Sequence, residues 1–80
     1  MQAIDLIKAA ILEVDPSKAS KLATVKPTQE IRELGMDSVA TMEMVGYLEE
    51  ELQVQFSDEV MVRINTFGDL IALVEKSRPG

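Results

Sequence analysis

Asp37 and Ser38, set in Leu34–Gly35–Met36–Asp37–Ser38–Val39, are the residues whose types and order best support chemistry in this chain. At the start of a helix the pair reads most simply as an N-cap, because a short side-chain oxygen there accepts a first-turn amide. The same position has a second use. First-turn N–H groups and the positive end of the helix dipole favour an anionic phosphate on the Ser38 hydroxyl, and Asp37 can help hold a divalent metal during its transfer. Gly35 lets the backbone turn sharply and leaves the serine accessible. Hydrolysis by Ser38 fails for want of a base: the chain has no histidine and no cysteine, which also removes thiolate and His-ligated metal sites and disulfides. No stretch has the alternating oxygen ligands and terminal Glu of a calcium-binding EF-hand loop. No catalytic residue and no metal ligand is therefore assigned.

The elements that must position this pair follow from periodicity. Ile4, Ile7, Ile11 and Val14 recur at helical spacing and predict a helix over residues 3–14, ending at Asp15–Pro16. Residues 15–37 form a long connection rich in Ser, Thr, Lys and Pro, in which residues 28–34, closed by Gly35, can make a turn of helix. Residues 38–53 read as the longest helix, and Val54–Gln55–Phe56 as extended. Ser57 caps a short acidic helix ending near Arg63, and Thr66 with Asp69 resembles a capping box that starts a last helix reaching Lys76. Residues 77–80 are a tail. The expectation is an all-α, small four-helix bundle, three longer helices and one short, with a long loop between the first and second. The 80 residues form one domain, its ordered core about residues 2–76.

On a helical wheel, residues 38–53 separate into two faces. Thr41, Met44, Val45, Leu48 and Leu52 form the stripe that faces the core. Val39, Met42, Glu43, Gly46, Glu49, Glu50 and Gln53 face the other way, so two apolar side chains and a glycine lie among carboxylates. Such a face suits a partner with an apolar patch rimmed by basic residues.

Charge supports the same reading. The net charge is −6, and residues 37–59 hold seven acids with no Lys or Arg, so the whole excess comes from one segment. Nucleic acid and anionic membranes would repel it. No secretory signal or membrane-length apolar run is visible, so a cytoplasmic location is expected. Aromatics are 4% of the chain, leaving the core to Ile, Leu, Val, Met and Ala.

Leu34–Gly35–Met36–Asp37–Ser38–Val39 resembles the LG-x-DSL motif of the acyl carrier proteins and their peptidyl and aminoacyl relatives. Met42–Glu43–Met44–Val45, Leu48–Glu49–Glu50–Glu51 and Phe56–Ser57–Asp58–Glu59 are similar to that family's second helix and following loop, and residues 64–70 to its entry into the last helix. The resemblance is ungapped from about Ile31 to Glu75. It implies that Ser38, with Asp37 beside it, receives a 4′-phosphopantetheine arm from coenzyme A through a magnesium-dependent phosphopantetheinyl transferase. Acyl units would ride on the arm's thiol as thioesters, so the chain is a substrate and not an enzyme.

The resemblance further implies that Val39, Met42, Glu43, Gly46, Glu49 and Glu50 meet partners: an acyltransferase or ligase, a ketosynthase and other enzymes of fatty-acid or polyketide-type synthesis. Phe56, Met61 and Ile64 match positions near an apolar cleft that shelters an acyl chain in some members. Two departures bear on partner choice: Val39 is shorter than the family's usual leucine, and Gly46 stands where a larger apolar residue is usual, at about 1 kcal/mol of helix stability. The alternatives are an aminoacyl or peptidyl carrier, from which the single glycine before Met36 leans away, and an unmodified acidic helical adaptor. Met1 and the short tail favour a free-standing protein over an excised domain, and a monomer is expected.

Overall fold

A computed structural model describes residues 2–78. Five helices run in order: α1 (Ala3–Val14), α2 (Ala19–Leu22), α3 (Ser38–Leu52), α4 (Asp58–Met61) and α5 (Phe67–Ser77). The architecture is the expected small helical bundle, with α1, α3 and α5 as its three longer helices and α4 as the expected short one. One correction concerns the connection between α1 and α3: besides the expected turn, at Ile31–Leu34, it carries α2 and a 3-10 turn at Pro16–Lys18. Of the expected tail, Ser77 belongs to α5, and residues 79 and 80 lie outside the described residues. Among the described residues, no helix is long and apolar enough to cross a membrane.

Local chemistry explains each boundary. Gln2 donates its amide to the Asp5 carboxylate at 3.1 Å to start α1. Asp15 stops that helix and caps the next turn, accepting from the Ser17 amide at 3.1 Å and its hydroxyl at 2.6 Å, with Pro16 in the first-turn position that proline tolerates. Ser57 Oγ accepts the Val60 amide at 3.2 Å to open α4. Thr66 and Asp69 form the capping box of α5: Thr66 Oγ1 accepts the Asp69 amide at 3.1 Å, and Asp69 accepts the Thr66 amide at 3.0 Å. α3 ends without glycine. Gln53 adopts the left-handed conformation (φ 58°), with the Val54 amide bonded to Glu49 O at 3.1 Å and the Gln53 amide to Glu50 O at 3.3 Å.

α1 packs against α3 and α5 around one aliphatic core. Its buried stripe is Ala3, Ile7, Ala10 and Ile11, whereas Ile4 and Val14, which periodicity placed on that face, are half-buried. Met44, Leu48 and Leu52 of α3 are buried as expected, flanked by half-buried Thr41 and Val45. Phe67, fully buried at the start of α5, anchors the other side.

The long connection is tied down by backbone bonds rather than by its own packing alone. Ile31 donates to Asn65 O at 2.9 Å, Phe67 to Gln29 O at 3.0 Å and Gly68 to Pro27 O at 2.8 Å, around a single bridge between Glu30 and Thr66. This strap joins the entry of α5 to the residues just before the Ile31–Leu34 turn. Ile31 and Leu34 are thereby held in the core, and Gly35, with φ 80° and its amide on Arg32 O at 3.0 Å, turns the chain out toward Met36–Asp37–Ser38.

Candidate functional site

Asp37, not Ser38, is the N-cap of α3. Its Oδ1 accepts the Ala40 amide at 2.8 Å, and its carbonyl accepts both the Thr41 amide at 2.9 Å and the Thr41 hydroxyl at 2.8 Å. Ser38 is therefore the first helical residue, exposed, with its hydroxyl not needed for capping. The arrangement separates the two roles that sequence reasoning left overlapping: the aspartate fixes the helix start, and the serine is presented to solvent at its positive end.

Beside Ser38 opens a cleft of about 690 Å³. Met36, Asp37 and Ser38 lie along it, Met44 and Leu70, both about 1% exposed, form its floor, and Met61 and Ile64 reach it from the segment after α3. A Glu30–Arg32 ion pair, 2.9 Å from Oε2 to Nε, lies on the same cleft. The structure thus brings Ser38, Met61 and Ile64 together. Phe56 does not line this cleft; it packs, half-buried, against the core from the segment after α3. Its amide is held there by the Glu49 carboxylate at 2.7 Å.

The outward face of α3 is open. Val39 and Met42 are 65% and 73% exposed, and Glu43, Gly46 and Glu50 are exposed beside them. Glu49, on the same helix, is half-buried and accepts the Phe56 amide. Sequence reasoning also missed Val62, which is 77% exposed just after α4. The signal was the apolar run Val60–Met61–Val62 at the end of a helix too short to show a periodic face.

What this arrangement can do chemically is carry rather than convert. An accessible hydroxyl at a helix N-terminus can be esterified by a transferred phosphoryl group to give a phosphodiester, and a cleft with an apolar floor and an acidic face beside it can shelter and present whatever the hydroxyl bears. Comparison with known proteins agrees. The family model described as "Phosphopantetheine attachment site" matches residues 5–74. The chain is 36% identical over 69 residues to the "Acyl carrier protein homolog" of Mycoplasmopsis pulmonis, covering 84% of this chain and 94% of that one. It is 37% identical over 67 residues to the "Acyl carrier protein AcpP" of Rhizobium meliloti, covering 84% and 80%. A crystal structure of the acyl carrier protein from Thermotoga maritima superposes with a TM-score of 0.69 at 30% identity, over 94% of this chain and 89% of the other.

Proposed function

Because this chain belongs to the acyl carrier protein family, whose members are carriers bearing 4′-phosphopantetheine and not enzymes, we propose that Ser38 is the residue that receives the group. The observation that carries this reading is the exposed Ser38 hydroxyl at the start of α3, freed from capping by Asp37 and placed on a 690 Å³ cleft with an apolar floor. Its surroundings fit the group on chemical grounds. The first turn of α3 offers amide dipoles to a phosphate, and Asp37 Oδ2 is an additional oxygen for a divalent ion during the transfer. Once attached, the arm supplies the thiol that a chain without cysteine lacks.

The protein's own residues then do three things in this proposal. Asp37 holds the helix start rigid under Ser38. Met61 and Ile64, with Met44 beneath them, shelter an apolar chain from water. Val39, Met42, Glu43, Gly46 and Glu50, with Glu49 at the end of the row, form the face that partner enzymes meet, and charge steers a basic partner toward it. The whole chain acts as one carrier unit, a cytoplasmic monomer serving fatty-acid or polyketide-type synthesis. Its partners are a phosphopantetheinyl transferase, an acyltransferase or ligase, and a ketosynthase.

Intact mass before and after incubation with coenzyme A, magnesium and a broad-specificity phosphopantetheinyl transferase tests the central claim. One phosphopantetheinyl group should be gained by the wild type and none by Ser38→Ala. Equal gain in the variant would move the site elsewhere.

A further inference from the structure

Three of the chain's four glycines lie in described structure, and the backbone has a use for two of them. Gly35 sits at φ 80°, and a Cβ on Gly68 would come within 3.1 Å of Pro27 O. Gly46 is different. It lies in the middle of α3, where glycine is the least favourable residue after proline, its φ is not positive, and a Cβ there would meet no atom within 4 Å. The isolated fold gains nothing from the missing side chain.

The surroundings of Gly46 show what the omission does. Met42 and Glu50 lie one turn to either side of it, with Val39 and Glu43 on the same face. Met42 and Val39 are 73% and 65% exposed. A patch of bare backbone therefore separates an exposed apolar pair from a carboxylate, within a segment that holds seven acids and no base.

We infer that Gly46 is a specificity-determining gap. A partner enzyme seats a bulky apolar side chain against the bare α3 backbone there, between Met42 and Glu50, and flanks it with Lys or Arg facing Glu43 and Glu50. Charge complementarity selects this occupant: a second copy of the chain, with net charge −6, would set acids against acids. Partners without such a side chain gain nothing from the gap, and carriers with a filled position exclude partners that have one. This rests on the docking role proposed above for α3.

The test uses the full chain with Gly46→Ala and Gly46→Leu. Both should melt higher, by about 4–8 °C, because each is a better helix former at an unobstructed site. The probe enzyme is a phosphopantetheinyl transferase whose carrier-docking surface bears a bulky apolar side chain flanked by Lys or Arg, with the unmodified chain as substrate. The KM for the chain should rise at least about fivefold in Gly46→Leu and less in Gly46→Ala, with kcat unchanged. Any other pattern, including a smaller rise, a fall, or a loss confined to kcat, overturns the inference. Loading by the broad-specificity transferase separates the two readings. If Ser38→Ala is loaded as well as the wild type, the Ser38 assignment and this inference both fall. If Ser38 is the site and KM is indifferent to residue 46, this inference alone fails.

Discussion

The Gly68 amide donates to the Pro27 carbonyl at 2.8 Å, and a Cβ on Gly68 would stand 3.1 Å from that same oxygen. The closest approach between the long connection and α5 is thus made at a residue with no side chain. Gly68→Ala sets two effects against each other: alanine is the better helix former by up to about 1 kcal/mol, while crowding the bond costs about 1–3 kcal/mol. The contact is backbone on backbone and cannot swing away, so the loss should win. A net destabilisation of about 1 kcal/mol is expected, read as a lower urea midpoint at unchanged slope.

Gln53 holds the left-handed turn that closes α3, where a non-glycine residue costs about 1–2 kcal/mol. Against that stand its own Nε2 bond to Glu50 O at 2.8 Å and the extra chain entropy glycine brings to the unfolded state. Gln53→Gly should therefore stabilise by about 0.5 kcal/mol, raising the urea midpoint without changing helix content by circular dichroism.

Asp69 accepts the amides of Thr66 and Asn65, and these bonds hold its carboxyl below its ordinary value of 3.8. A depressed carboxylate contributes stability that is fully present above the unfolded value and lost as pH falls through the folded one. Asp15, held down first by the Ser17 hydroxyl, behaves the same way. The wild type should lose stability as pH drops below about 4, and Asp69→Asn should flatten that slope, seen by urea melts at stepped pH.

Where structural signals are local, the sequence was legible. The caps at Ser57 and Thr66–Asp69, the stop at Asp15–Pro16 and the turn closed by Gly35 each involve residues within a few positions of one another, and each formed where expected. The strap from Pro27 to Ile31 was not legible, because its partners, residues 65–68, are distant in the chain and the bonds are backbone only. Gln53 lacked the glycine that usually marks a left-handed helix end. Of the candidate site, Ser38, Met61 and Ile64 line one cleft; Met61 and Ile64 were singled out by the family resemblance and not by any local pattern. The bond between Glu49 and the Phe56 amide was not legible, since it forms only when the segment after the helix folds back on it.

That fold-back makes two carboxylates on one face separable by experiment. Glu43 is exposed, whereas Glu49 is half-buried and accepts the Phe56 amide at 2.7 Å. Glu43→Lys should leave stability within about 0.5 kcal/mol of wild type, as for an exposed charge far from any network. Its cost should fall on encounter with a basic partner: the KM of a broad-specificity phosphopantetheinyl transferase should rise, and the rise should shrink at high salt. Glu49→Lys leaves a partly buried amide without its acceptor and should cost about 1–3 kcal/mol of stability whatever it does to docking. Equal melting of the two variants would mean that the Glu49–Phe56 bond contributes little to the fold. Unchanged KM in Glu43→Lys at low salt would mean that the acids of α3 keep the carrier dispersed in water but do not guide its partners.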